Sequence, residues 1–457
     1  MTSTSELTAR LADLCDRFGV PGAALAVATA EEQAVAWTGT ANLRTGLPVQ
    51  RDTLFAAGSV TKVFTATLLM TLLDDGLVDL DAPVVGYLPE LAEAKDPRLI
   101  EITVGMLLDH TSGLPGSVTY DVPRGPQVVS RFVDLLLGTE LNSPPGRFWS
   151  YSNGGLVLAG RVAEVLTGMA FEDALDQRVL RPLGLNATSR LDDMLLQSTA
   201  VGHVPGQSGE TVVTPRLQLG TNSPSGSGLW CDIAALLAFG QLHLERGVAA
   251  DGKQVLSADA VALMQQPRLE VPWTAVGYEH MGIGWLRRQT AAGPLLGHTG
   301  ASAGQHSCLY ILPEQGAVLA ALTNSTNGAA VYTTLMTELL AELFDVIPVA
   351  PPAVADDQLE VPLEPLVGTY VADEGQVVVT LEDERLVATH ECTPSFVDTM
   401  RLIMGPTFPP PPMTLTPYDG DGRFVSDIGM PAHFIQSERG GHPEFAYFGR
   451  LYRRSSS

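Results

Sequence analysis

From Ser59 to Leu73 the chain reads SVTKVFTATLLMTLL, apolar nearly all round at helical spacing, and Gly76 closes it. A helix without a polar face has to be covered on every side, so this one belongs at the centre of a domain. Its longest apolar stretch, Val63 to Leu73, is too short to span a bilayer and ends at Asp74-Asp75. The rest of the chain must therefore supply layers of protein around it. With 457 residues, 45% of them hydrophobic, there is enough chain to do so. At roughly 150 residues per domain the length predicts two or three units.

The flanking segments show how the cover is built. Leu7, Leu11, Leu14 and Phe18 form a helical stripe that Val20-Pro21-Gly22 breaks. AALAVAT and AVAWTGT follow as two short apolar runs, a hairpin. From Leu80 to about Leu219 the pattern is short helices, Pro-rich turns and loops. Strands return with GIGWLRR, PLLGHTG, HSCLYILP and AVLAALTN, and a helix runs from Ala330 to Phe344. This order predicts an α/β fold: an antiparallel sheet flanked by helices, with an all-helical lobe inserted, over residues 1–346. Residues 347–365, rich in Pro and acidic side chains, read as a linker. Residues 366–457 alternate in short runs with Gly and Pro turns, a small all-β barrel.

Net charge is -24, which repels phosphate backbones and anionic lipid, so neither nucleic acid nor membrane is an expected partner. Cys15, Cys231, Cys308 and Cys392 are scattered without CxxC or His spacing, so buried thiols are expected rather than a disulfide framework or a metal site. No cofactor is implied. Glu6, Arg10 and Asp13 interrupt the N-terminus, leaving no apolar signal-peptide core, and a chain starting at Met1 is expected in the cytoplasm.

Three short motifs carry chemistry. In Ser59-Val60-Thr61-Lys62, three residues along a helix set Lys62 one turn beyond Ser59 on the same face. A lysine buried there loses its proton more readily and can take one from the serine hydroxyl. The helix N-terminus also aims free N–H groups at charge developing on a substrate. The chain has three lysines, so SxxK by chance has odds of roughly one in five. In Tyr151-Ser152-Asn153, the phenol can relay a proton and the amide can bond substrate and lysine, although Asn-Gly alone would make a turn. In His298-Thr299-Gly300, on a predicted strand, Gly300 lets a substrate backbone lie close and His298 can donate or accept near neutral pH.

The order SxxK, YxN, HTG resembles the serine β-lactamase and penicillin-binding-protein superfamily, in its class C-like, esterase and D-peptidase branch. LLDHTSGLPG, YSNGGLVLAGRVAEVLTG, RPLGLNAT, GIGW and GHTGASAG support the resemblance across the first 345 residues or so. It implies Ser59 as nucleophile, Lys62 and Tyr151 sharing base and acid work, and Asn153 positioning the acyl donor. It further implies His298 assisting the leaving group or binding substrate with Thr299 and Gly300, and an oxyanion hole from the N–H groups of Ser59 and Ala301. The segment SGLWCDIAALLAF departs from the usual pattern: Asp232 can still cap its helix. Trp230 there is either an aromatic wall for the acyl side chain or a core tryptophan.

The motifs determine acylation and leave the acceptor open. With no export signal and a C-terminal β-domain, the chain most resembles the stand-alone thioesterases of nonribosomal peptide pathways, the surugamide-type cyclases, whose C-terminal domain is lipocalin-like. That resemblance implies a peptidyl thioester from a carrier protein, a D-residue at its C-terminus, and macrocyclisation. A D-stereospecific peptidase, amidase or esterase uses the same machinery with water. In FGRLYRR, Arg450 is either a cation that reaches over the cleft to hold a peptide carbonyl or carboxylate, or part of a solvated terminal strand.

Overall fold

The computed structural model describes residues 3–116, 122, 125, 127–206, 208–219, 223–273, 277–347, 349, 361–436 and 441–455. The apolar segment forms a 3-10 turn, Gly58–Val60, that runs straight into a helix, Thr61–Asp74. Every residue of that helix from Thr61 to Leu72 is buried. Phe64 stacks on Phe239 with ring centroids 3.5 Å apart, joining it to a second helix without a polar face, Ile233–Leu244. Asp232 caps that second helix, accepting from the Ala235 N–H at 2.7 Å, as its sequence position predicts.

Among the described residues, nine strands make an antiparallel sheet. Its centre is Gly22–Ala28, Ala317–Thr323, Gln305–Leu312 and Gly293–Ser302, paired in that order. The central strands are apolar on both faces because both faces are covered. Ala24, Ala26 and Ala28 pack on the side of the helix Ile233–Leu244, while Ala23, Leu25 and Val27 pack with the terminal helices Thr4–Phe18 and Gly328–Phe344. Arg10 ties those two helices together through Glu338 at 2.7 Å and Glu342 at 2.8 Å. Helix Asn153–Thr167 lies in the inserted lobe against the nucleophile helix. The expected strand over GIGWLRR begins only at Leu286, because Gly284 takes a left-handed turn at φ 76°. Among the described residues no single helix is long and apolar enough to cross a membrane.

Eight strands between Gly368 and Arg454 close into an antiparallel up-and-down barrel, the first paired with the last. The run QVVVTLEDERLVATH folds back on itself at Asp383 and Glu384, both with positive φ, and EFAYFGRLYRR turns at Gly449. The barrel interior is filled by Tyr370, Phe424, Phe434 and Phe448. A helix, Pro394–Met404, interrupts the barrel sequence and was not anticipated: none of its residues is buried, so its apolar signal is weak. Residues 348 and 350–360 of the expected linker lie outside the described residues.

Trp230 settles as a core residue. It is 1% exposed and packs with Leu54, Ala56 and Met194, on a two-residue strand paired to Phe55-Ala56 just ahead of the nucleophile. The expectation of an aromatic wall for substrate is corrected on that ground, since the ring presents no surface to a ligand. Trp230→Ala is expected to cost about 3–5 kcal/mol of stability. Chemical denaturation measures the loss, and the effect on turnover is expected to be equal for two acyl donors of different side-chain size.

Candidate active site

Ser59 stands half-buried in the 3-10 turn, and local bonds hold that turn in place. Thr61 Oγ1 donates to Gly58 O at 2.6 Å, and Ser307 Oγ donates to Ala57 O at 2.7 Å, pinning the turn to the sheet. Gly58 has φ 52°, and a Cβ there would lie 2.5 Å from Ala301 N. At Gly300 a Cβ would strike Ala57 O. Glycine at these two positions lets the turn and the strand Gly293–Ser302 meet backbone to backbone. The backbone at Ser59 is thereby set beside the backbone at Ala301.

Lys62, one turn along, is 1% exposed. Its Nζ lies 3.0 Å from Ser59 Oγ and also donates to the Ser225 carbonyl. Burial holds its ammonium well below the ordinary lysine value, and the positive charge of Arg450 lowers it further. A neutral amine beside a serine hydroxyl is a base ready to accept its proton.

Tyr151 reaches the same point from the inserted lobe. Its ring lies 4.8 Å from Lys62 Nζ, and its side chain hydrogen-bonds Ser59. Burial pushes the phenol up to about 12, against the opposing pull of the Ser59 bond and of Arg450. It is therefore protonated at neutral pH and suited to pass a proton rather than to start as phenolate. Asn153 opens the helix Asn153–Thr167, with Ser152 as its cap: Ser152 Oγ accepts from Gly155 N at 3.1 Å. His110, within LLDHTSGLPG, positions this motif. Its Nδ1 accepts from Ser152 N at 3.1 Å, and its ring lies 4.5 Å from that of Tyr151.

His298 is 2% exposed, its ring 6.2 Å from Tyr151. Burial and then Lys62 push its pKa down to about 3. Its Nδ1 lies 2.7 Å from Thr299 O, which only accepts, so the proton sits on Nδ1. Nε2 is then a buried acceptor without a bonding partner among the described residues. This narrows the expectation from sequence: the imidazole stays neutral instead of titrating near neutral pH. Thr299 points elsewhere. Side chains alternate along a strand, and Thr299 pairs with Cys308, on the face that packs the helix Gly328–Phe344. The expectation that its side chain contacts substrate is corrected accordingly.

The strand Leu286–Thr290 pairs with the first half of Gly293–Ser302 and stops at the Leu286–Gly297 pair. From His298 to Ser302 that edge carries no strand among the described residues, leaving a template for an extended peptide beside Ser59.

Arg450 is the largest gain over the sequence. It stands at the start of the last barrel strand, Arg450–Arg454, and reaches the catalytic half, its guanidinium carbon 6.0 Å from the Tyr151 ring. Sequence reading did not find its partner Glu374, whose Oε2 lies 3.6 Å from Arg450 Nη1. The partner is 76 positions away on another strand, and no local pattern announces it. Next to this cleft, behind Trp149, a cavity of about 840 Å³ lies between the sheet edge and the barrel, lined in part by Trp273, Tyr278, Tyr418 and Tyr447.

The Beta-lactamase family profile matches residues 7–341. "Penicillin-binding protein 4" of Amycolatopsis lactamdurans is 38% identical over 365 residues, covering 78% of this chain and 94% of its own. The crystal structure of SurE superposes with a TM-score of 0.81 at 29% identity, covering 99% of both chains. SurE solved with D-Leu gives 0.79 over the same coverage. The D-amino acid amidase of Ochrobactrum anthropi SV3 gives 0.60 at 25% identity, over 70% of this chain and 90% of its own. With Ser59, Lys62 and Tyr151 in bonding distance, the chain is a serine-nucleophile acyl-transfer enzyme that belongs to the β-lactamase and penicillin-binding-protein family.

Proposed function

We propose that this enzyme is a trans-acting thioesterase that takes a peptidyl thioester onto Ser59 and releases it by head-to-tail cyclisation, with a D-residue at the acyl terminus. The observation that carries this reading is Arg450: a barrel residue lies on the catalytic tyrosine, in a chain similar to SurE over its whole length, barrel included. The structure of SurE with D-Leu supports a D-residue in the acyl position. A peptidyl carrier protein is the expected donor of the thioester.

The chemistry follows from the site. Neutral Lys62 takes the Ser59 proton as Oγ attacks the thioester carbonyl. The tetrahedral oxyanion is held by the N–H groups of Ser59 and Ala301, each such donor worth about a hundred- to a thousandfold in rate. The C–S bond breaks, and the leaving thiolate takes the proton from Lys62 through the Tyr151 hydroxyl. Asn153 and the free strand edge hold the acyl chain. The peptide's own amine then attacks the Ser59 ester and gives a proton to Lys62, and Ser59 Oγ takes one back as the ester breaks. Arg450 binds a peptide carbonyl on the barrel side and favours the folded-back chain over water. With water in place of the amine the same steps give a D-stereospecific hydrolase, the reading that the likeness to D-amino acid amidase supports.

Peptidyl thioesters ending in a D- or an L-residue, each with a free N-terminal amine, test the proposal by product mass. Cyclisation predicts a product one water lighter than the free acid, from D-terminated donors and not with Ser59→Ala. Free acid as the sole product would replace the cyclase with the hydrolase.

The pH dependence of Ser59 acylation tests the base. Lys62 acts unprotonated, so the rate is expected to fall as pH drops through its lowered pKa and to be sustained at pH well below the ordinary lysine value. Lys62→Arg, charged at every pH, is expected to lose at least about a hundredfold throughout. His298, neutral over the same range, contributes no limb near neutral pH.

A further inference from the structure

We propose that Glu374 is a positioning residue that holds the Arg450 guanidinium over Tyr151 and so governs how the substrate peptide is gripped during acyl transfer. This rests on the reading of Arg450 as a substrate contact.

Glu374 lies on the two-residue turn Asp373-Glu374 between the barrel strands Gly368–Ala372 and Gly375–Glu382. It is 3% exposed. The Tyr452 hydroxyl donates to its Oε1 at 3.1 Å, which orients the carboxyl and turns Oε2 toward Arg450 Nη1, 3.6 Å away. On the other side of Arg450 is Gly116, where a Cβ would lie 2.6 Å from Nη1. The guanidinium is thus confined between a barrel carboxylate and the Gly116–Tyr151 backbone of the catalytic half.

The neighbouring acid does a different job. Asp373 Oδ1 accepts from Gly116 N and from Asn142 Nδ2, each at 3.1 Å. Asp373 docks the barrel turn on the catalytic half, and Glu374 aims the cation of the last strand, to whose surroundings Asp373 adds a second negative charge. A carboxylate buried for shape alone is a poor choice, because an apolar side chain would fill the space at lower cost. Facing a guanidinium that itself lies over Tyr151, it has a use.

The groups around Glu374 are Asp373 on its own turn, Arg450 and Tyr452 from the last strand, and Cys392 from the strand Arg385–Cys392. Burial pushes its pKa up to about 7, with Arg450 pulling down and Asp373 pushing up. Its grip on Arg450 is therefore complete above neutral pH and weakens as pH falls through about 7, when the carboxyl takes a proton.

The experiment uses the full chain with a D-terminated peptidyl thioester, and compares wild type, Glu374→Gln, Glu374→Asp, Arg450→Ala and the Gln/Ala double variant. Ser59 labelling by a small alkyl phosphonate, which has no peptide for Arg450 to hold, is the control. Glu374→Gln is expected to lower kcat/KM about tenfold, chiefly through KM, with phosphonate labelling within about twofold of wild type. Glu374→Asp is expected to recover part of the loss, and the double variant to match Arg450→Ala. Wild type is expected to lose turnover as pH falls through about 7, a step missing in Glu374→Gln and in Arg450→Ala. The wild-type and Arg450→Ala profiles alone decide the matter if the Glu374 variants do not fold. Wild-type behaviour of Glu374→Gln beside a damaged Arg450→Ala would overturn this proposal and leave the Arg450 reading standing. A silent Arg450→Ala would overturn both.

Discussion

Keeping one lysine amine out of water is the constraint on which the catalytic half is built. A charged ammonium is costly to bury, so burial holds the Lys62 pKa well below the ordinary lysine value. The pocket is dry because the helix that carries Lys62 is buried along its length and because Tyr151 covers the open side. The need for cover explains the surrounding layers: the sheet on one side, the helices Asn153–Thr167 and Ile233–Leu244 on others. One polar anchor is provided, the Ser225 carbonyl, and it leaves the lone pair's target, Ser59 Oγ, within reach. The same burial keeps His298 neutral and Tyr151 protonated.

The barrel is built into this site rather than appended to it. Tyr447 donates its hydroxyl to Trp149 O at 2.8 Å and Leu451 N bonds Ser150 Oγ, both within the segment that leads to Tyr151. On the opposite rim the helix Pro394–Met404 receives two bonds, from Gly304 N to Leu402 O at 2.7 Å and from His306 Nε2 to Ile403 O at 3.1 Å. Gly304 lies in the turn that follows the free strand edge, and His306 just beyond it. The barrel thus contacts both the YSN segment and the end of the HTG strand, and the cleft between them is bounded by two domains. A ligand held there is sheltered from water on the barrel side.

Much of the catalytic half was legible because its signals are local. The SxxK spacing, the apolar helix, the alternating buried strands and the Asp232 cap are each properties of a few adjacent residues, and each appears where the sequence places it. Trp230 and Thr299 show where local reasoning stops. A tryptophan near the nucleophile and a threonine in a motif have the right chemistry, but burial took the first and strand alternation turned the second away. The helix Pro394–Met404 went unseen because it buries none of its own residues; its Leu402 and Ile403 carbonyls bond the sheet.

The sequence by itself determined that Ser59 and Lys62 lie within bonding reach and that a barrel follows the sheet, since helical spacing and hydrophobic period are set by covalent geometry. Only the tertiary structure decided that Arg450 stands over Tyr151, that Glu374 holds it there, and that His298 is neutral. These depend on which distant segments become neighbours and on how much water they exclude. Charge, burial and distance across 300 residues of chain are properties of the packed molecule, and no run of adjacent residues encodes them.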